Sequence, residues 1–274
     1  MKDTKKIWPA AAFSALLAAC VLFAACAGMN SESSAAGTWK WRAVNSAIVI
    51  PLYPGPEEKE PGMHLVYRLL DLPGSQKEAR ALRTLLYDGE TPEKYRNKSG
   101  EALRNEYSGM RKTAEEQPGI SESLNWFYTE TVEPGAVSPR YAVIRRNREY
   151  YLGGAHGMRE TEYFLIGRDE AGRISIDRIV KKEAGQALAG LIEEGIRRRF
   201  NITEGRPLTD VLFEDHPAVQ ENFFLGPEGL GFHWDPYEIA PYSEGPVELS
   251  IPWDRCADLL SEEGLRIAAD FGFH

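Results

Sequence analysis

Three period-two runs, Leu124 to Val132, Arg140 to Leu152 and Glu160 to Arg168, follow one another closely and constrain the fold more than any other part of the chain. Along the first, Trp126, Tyr128 and Glu130 fall on one side and Phe127, Thr129 and Thr131 on the other, the alternation of a strand with two faces. The second and third are joined by Gly153-Gly154-Ala155-His156-Gly157, which reads as a tight hairpin. Earlier in the chain, Ala47-Ile48-Val49-Ile50 reads as a buried strand. Met63 to Leu70 reads as another, with His64, Val66 and Arg68 alternating against Leu65, Tyr67 and Leu69. Near the end, Asn222 to Leu225 and Leu230 to Trp234 form a hairpin through Gly226-Pro227-Glu228-Gly229, and Val247 to Ile251 is the last strand.

Helical signals sit between these strands. Ser75 is placed to cap a helix over Gln76 to Tyr87 that buries Ala79, Leu82, Leu85 and Leu86. Pro92, after Thr91, opens a second helix to Gln117 whose thin apolar face (Tyr95, Ala102, Leu103, Tyr107, Met110) predicts a surface position. Asp169 to Gly172 turns the chain into Arg173-Ile174-Ser175-Ile176. A third helix spans Lys182 to Phe200, burying Ala184, Leu188, Leu191, Ile192 and Ile196, and a fourth covers Trp253 to Leu260. Strands and helices do not alternate in βαβ fashion, so the expected class is α+β with mainly antiparallel sheet and packed helices. Two parts are expected, a small N-terminal unit over 39–119 and a C-terminal domain over 120–274, with Pro118-Gly119 between them.

The first 38 residues do not belong to that body. Lys2, Lys5 and Lys6 precede an apolar run from Ile7 to Ala25, which ends in Phe23-Ala24-Ala25-Cys26-Ala27-Gly28. A basic start, an apolar middle and small residues before the cut are the layout of a secretory signal, here over 1–25. A cysteine directly after Ala-Ala resembles the lipobox of bacterial lipoproteins, in which the thiol is acylated. Leu17-Ala18-Ala19-Cys20 fits the same pattern. Cys26 is favoured because cutting before Cys20 would leave Val21-Leu22-Phe23 at the new terminus. A plain membrane-spanning anchor is the alternative reading of the run. Residues 26–38 are a polar tether, too poor in apolar side chains to fold. The expected location is the bacterial cell envelope, held to a membrane through the N-terminal lipid.

The chain carries a formal net charge of −9, and removing a leader with three lysines against Asp3 makes the remainder more acidic still. That argues against nucleic acid as a partner and favours a basic one. With the leader cysteines set aside only Cys256 remains, so no internal disulfide can form. Cys256 occupies an apolar helical position, the setting of a buried, inert thiol.

Two segments stand out as candidate binding elements. In Tyr151-Leu152-Gly153-Gly154-Ala155-His156-Gly157, three glycines in five positions allow positive φ and close backbone approach. No Gly-Lys-Ser/Thr follows, and no second histidine has ligand spacing, so neither a phosphate site, a metal nor a cofactor is expected. In Pro236-Tyr237-Glu238-Ile239-Ala240-Pro241-Tyr242, two Pro-Tyr steps predict a stiff, extended loop that displays Tyr237 and Tyr242 at low entropic cost. The sequence has no Gly-x-Ser-x-Gly elbow and no His-Glu-x-x-His motif, and its carboxylate pairs, Asp169-Glu170 and Glu193-Glu194 among them, fall in turns or on helix faces where 41 acids make chance pairs common.

Trp126-Phe127-Tyr128, the Gly-Gly-Ala-His-Gly segment and the Pro-Tyr segment, in this order, resemble the extracytoplasmic domain shared by the anti-sigma factor RsiV and the peptidoglycan deacetylase PdaC. The resemblance is specific over 120–262 and looser over 39–119. It implies a small α+β unit followed by an outward-facing domain, and in RsiV that region binds lysozyme. This chain lacks a cytoplasmic anti-sigma segment and a deacetylase domain, so neither of those activities carries over. The reading is a non-catalytic envelope lipoprotein that binds or senses cell-wall glycan (peptidoglycan) or a protein such as lysozyme. Its candidate ligand contacts are Tyr151, Gly153, Gly154, His156, Gly157, Tyr237 and Tyr242. The alternatives are a wall-active hydrolase or transferase using His156 with a nearby carboxylate, and an envelope scaffold lipoprotein.

Overall fold

The structure, a computed structural model, describes residues 39–51, 62–73, 76–117 and 124–273. The leader with Cys20 and Cys26, the tether, Ser75 and the Pro118-Gly119 turn lie outside the described residues. Within them the chain is α+β, built on one five-stranded and one three-stranded sheet.

Strands β1 (Arg42–Pro51) and β2 (Gly62–Asp71) form an antiparallel pair, followed by helices α1 (Lys77–Tyr87) and α2 (Pro92–Glu116). Then come β3 (Trp126–Val137), β4 (Tyr141–Tyr151) and β5 (Met158–Gly167), joined antiparallel in that order. β2 and β3 run parallel, with Met63 opposite Trp126 and Arg68 opposite Thr131. One crossover through α1 and α2 therefore departs from the expected absence of βαβ units. The same crossover places β2 and β3 in one sheet.

β1 lies at the edge of the sheet and is half exposed, not buried as its apolar run predicts. Val44 is buried, but Val49 is 63% exposed, because an edge strand packs on one face only. At the other end, Trp39 begins the folded body: its Nε1–H donates to the Ser138 carbonyl (2.8 Å), and its ring stacks on Trp41 and under Arg168.

Both faces of β4 and β5 feed cores. Ala142, Ile144, Phe164 and Ile166 join α1 and the inner face of β2, with Leu65, Tyr67, Leu82 and Leu86. Val143, Tyr163 and Leu165 join the second core, beneath α3 (Gly185–Arg199) and the small sheet of β6 (Phe223–Gly226), β7 (Gly229–Trp234) and β8 (Val247–Pro252). α3 follows a 3₁₀ turn over Lys182–Ala184 and buries Leu188, Ile192 and Ile196. After the turn over 169–172, Arg173 makes one bridge to Ile166, and a single helical turn starts at Ile176. The C-terminal segment divides into a turn, Trp253–Cys256, and a full helix α4 (Glu262–Asp270) that the sequence reading did not assign. Its signal was present: Ser261 accepts from the Gly264 N–H (2.8 Å), and Glu262 and Glu263 occupy the first turn, as a capped helix requires.

The outer edge of β5 is closed by side chains. Asn222 Oδ1 accepts from the Tyr163 N–H (2.9 Å), its Nδ2 donates to the Thr161 carbonyl (2.7 Å), and Asp235 Oδ1 accepts from the Thr161 N–H (2.8 Å). Asn222 thus supplies the donor and acceptor that a sixth strand would. Replacing Asn222 with Ala leaves two backbone groups unpaired and is expected to cost about 3 kcal/mol in urea unfolding, with Asn222→Asp losing the smaller part.

Candidate functional site

The bend between β4 and β5 needs its glycines for two different reasons. Gly153 (φ +86°) and Gly154 (φ +106°) take left-handed conformations, whereas Gly157 is held close to a neighbouring strand, where a Cβ would sit 3.0 Å from the Tyr150 carbonyl. The bend lifts His156 into solvent. Tyr151 turns back to donate to the Gly154 carbonyl (3.0 Å), so its hydroxyl braces the bend.

The Pro-Tyr segment is a tight turn, not the extended loop expected. The Glu238 N–H reaches the Asp235 carbonyl (3.1 Å) across Pro236 and Tyr237, and the Asp235 N–H donates to Glu238 Oε2 (2.6 Å). Pro236 suits the second position of such a turn, and Tyr237 takes the third at φ +73°, where glycine or asparagine is usual. A 3₁₀ turn over Tyr242–Glu244 follows.

The two segments, 81 residues apart, meet. His156 Nδ1 lies 2.9 Å from the Gly157 carbonyl and Nε2 lies 3.1 Å from the Tyr237 hydroxyl. Because a carbonyl only accepts, the neutral ring carries its proton on Nδ1 and receives the Tyr237 O–H at Nε2. The Tyr242 hydroxyl donates to the same Gly157 carbonyl (2.8 Å), and its ring stacks on His156 with centroids 4.0 Å apart. Tyr237 and Tyr242 stand 5.5 Å apart, and Tyr237 is half exposed. Beside them Phe127, Pro236, Tyr242 and Pro246 line an open recess of about 380 Å³.

Beneath the turn lies a network that the sequence reading did not assign. His233 on β7 is buried and stands opposite Glu248 on β8; its Nδ1 is 3.0 Å from Glu248 Oε2, and its Nε2 is 3.1 Å from Asp235 Oδ1. Tyr163 on β5 donates to Glu248 (3.0 Å). Burial opposes the charge on His233, but the hydrogen bonds to Asp235 and Glu248 outweigh it and push its pKa up from 6.5 to about 9. The bond from His233 holds the Glu248 carboxyl below its ordinary range. The imidazolium locks the start of the turn to the small sheet, and its two carboxylates occupy both of its nitrogens. The detectable signal was the alternation that puts His233 and Glu248 on one face of two neighbouring strands.

Other candidate groups have structural partners. Cys256 is fully buried, and burial pushes its thiol pKa up to about 11. Glu170 pairs with Arg178, Glu193 with Arg197, and Glu194 with Arg255. Glu160 and Glu162, downstream of His156, are held by Arg148 and Arg146 on the helix-covered face. Among the described residues no group of three or more His, Cys, Asp or Glu side chains is placed to hold a metal ion, and no helix is long and apolar enough to cross a membrane.

The small sheet, α3 and the Pro-Tyr turn coincide with a known domain: residues 177–254 match the family model described as a protein of unknown function, DUF3298. Two solved structures share the wider fold. A DUF3298-family protein from Bacteroides fragilis is 20% identical with a TM-score of 0.72, over 86% of this chain and 98% of that one. A second, from Pseudomonas aeruginosa, is 16% identical with a TM-score of 0.56, over 83% and 97%. No curated protein matches the chain. The glycine bend lies outside the matched segment, while His233, Asp235, Tyr237 and Tyr242 lie inside it.

The network has a pH consequence. His233 binds its proton more tightly folded than unfolded, so its contribution, about 3 kcal/mol, is fully present below pH 6.5 and lost as pH rises through 9. Denaturant titrations from pH 6 to 10 should show this decline, and His233→Gln should flatten it.

Proposed function

We propose that this chain is a non-catalytic binding module of the bacterial cell envelope, moored by a lipid on Cys26, which presents the His156–Tyr237–Tyr242 cluster to a wall ligand. The observation that carries the reading is the convergence of the two segments into one exposed aromatic surface, with Tyr237 at φ +73°. A non-glycine residue there costs about 1 kcal/mol or more, and surrounding structure must over-determine it. Here the turn hydrogen bonds and the His156 contact hold it, and the result is a ring fixed in place before any ligand arrives. Rigid aromatic anchors lose little entropy on binding.

A binding role rather than catalysis agrees with the state of the polar groups. Both His156 nitrogens are engaged, by a carbonyl and a phenol, and His233 is buried between two carboxylates. The resemblance to the RsiV and PdaC extracytoplasmic domain supports two ligand classes, wall glycan and a protein such as lysozyme, and the net charge of −9 favours the basic protein as the second reading.

Co-sedimentation with purified sacculi and retention of a basic lysozyme test the module directly. Tyr237→Ala and Tyr242→Ala are each expected to weaken the interaction by about ten-fold with the fold intact. Release of sugars or acetate from the wall by the purified chain would overturn the non-catalytic reading. Mass spectrometry of the membrane fraction should find the lipid on Cys26 and lose it in Cys26→Ser.

A further inference from the structure

The face of the five-stranded sheet turned away from α1 and α2 carries a polar row that crosses every strand. Asn45 pairs with Arg68, Arg68 with Thr131, Thr131 with Asn147, and Asn147 with Thr161. Paired residues share a face, so five polar side chains follow one another at the strand spacing of about 4.8 Å, a row of roughly 19 Å. The rows on either side differ from it. In one, Glu149 pairs with Arg159 (3.0 Å); in the other, Glu133 pairs with Arg145. Those charges satisfy each other.

The central row does not. Arg68 is exposed and has no ion pair or hydrogen bond among the described residues, and the hydroxyl of Thr131 is equally unpartnered. The Thr161 hydroxyl occupies Asn147 Oδ1 (3.0 Å), which leaves the amide N–H donors of Asn147 unused. Arg68, Thr131, Asn147 and Thr161 line a trough of about 470 Å³ walled by Pro246. Glu149, Arg159 and Pro246 also line the recess beside Tyr242 and Phe127, so the trough opens towards the aromatic cluster.

We propose that this trough binds an extended glycan strand bearing carboxylates, with Arg68 taking a carboxylate and Thr131 and Asn147 taking sugar hydroxyls or amides. The inference rests on the binding reading above and names its ligand class. A row of small neutral donors and acceptors at strand spacing matches the rise of one sugar unit along an extended glycan. The planar Arg68 fork suits a carboxylate, and the rings at the rim can stack on a sugar face. A peptide strand would instead use a sheet edge. A nucleic acid would require many free cations, and this row has one.

The test uses the full-length chain in detergent with two probes: peptide-free wall glycan strands carrying muramic acid carboxylates, and uncharged chitooligosaccharide of equal length. Arg68→Ala is expected to weaken binding of the carboxylated strand by about ten-fold and to change chitooligosaccharide binding by less than about two-fold. Asn147→Ala should weaken both. Unchanged affinity in both variants overturns the proposal, and so does failure of the parent to bind either glycan while it retains lysozyme. Loss in Tyr237→Ala without loss in Arg68→Ala removes the trough and leaves the aromatic cluster as the site. The converse pattern supports the trough and removes the cluster.

Discussion

The outer edge of β5 is where the two halves of the structure are joined, and the candidate site exists because of how that edge is closed. A free edge offers backbone groups to any passing strand. Here Asn222 and Asp235 take the Thr161 and Tyr163 positions, so the small sheet docks on the large one through side chains in place of a sixth strand. Asp235 is shared: the same Oδ1 that accepts from β5 also faces His233, and its backbone opens the Pro-Tyr turn. The residue that seals the sheet therefore also sets where Tyr237 begins. The bend leaving β4 enters β5 only a few residues from Thr161, so both partners of the aromatic cluster are referenced to one edge.

That arrangement relies on β4 and β5 being buried on both sides over part of their length. Phe164 and Ile166 feed one core while Tyr163 and Leu165 feed the other, and this fixes the strand against rotation or slippage, since a one-residue shift would exchange the two sets. Further along, towards the bend, the outward face changes character to Thr161, Asn147 and Arg159, and exposure rises from buried Thr161 to exposed Arg159. The fold thus divides a single sheet into a clamped end that carries stability and an open end bordered by the aromatic cluster.

Much of this was legible in the sequence. Alternation located β2 through β8, and turn glycines located the hairpins, because both depend on local geometry. The exceptions share one cause. β1 reads as buried from Ala47 to Ile50, yet its edge position leaves Val49 in water; neighbours, not composition, decide that. The parallel β2–β3 pairing depends on how α1 and α2 cross the sheet, and no residue of either strand announces it. At the site, the positive φ of Gly153 and Gly154 follows from glycine itself, whereas Tyr237 at φ +73° is imposed on a residue that disfavours it. The meeting of His156 with Tyr237 required two segments 81 residues apart to converge, which no local pattern encodes.

The two histidines show how one residue type is assigned opposite work by its surroundings. His233 is buried between carboxylates and stays charged, so it acts as a fixed cation that holds β7, β8 and the turn together. His156 is exposed and bonded to a carbonyl and a phenol, so it serves as a ring with a directional hydrogen bond at each nitrogen. Neither is free to shuttle a proton without first breaking a contact that positions the loop. Around these two rings the hydrogen-bonding atoms of His156, Tyr242 and His233 are engaged in holding the bend, the turn and the small sheet to one another.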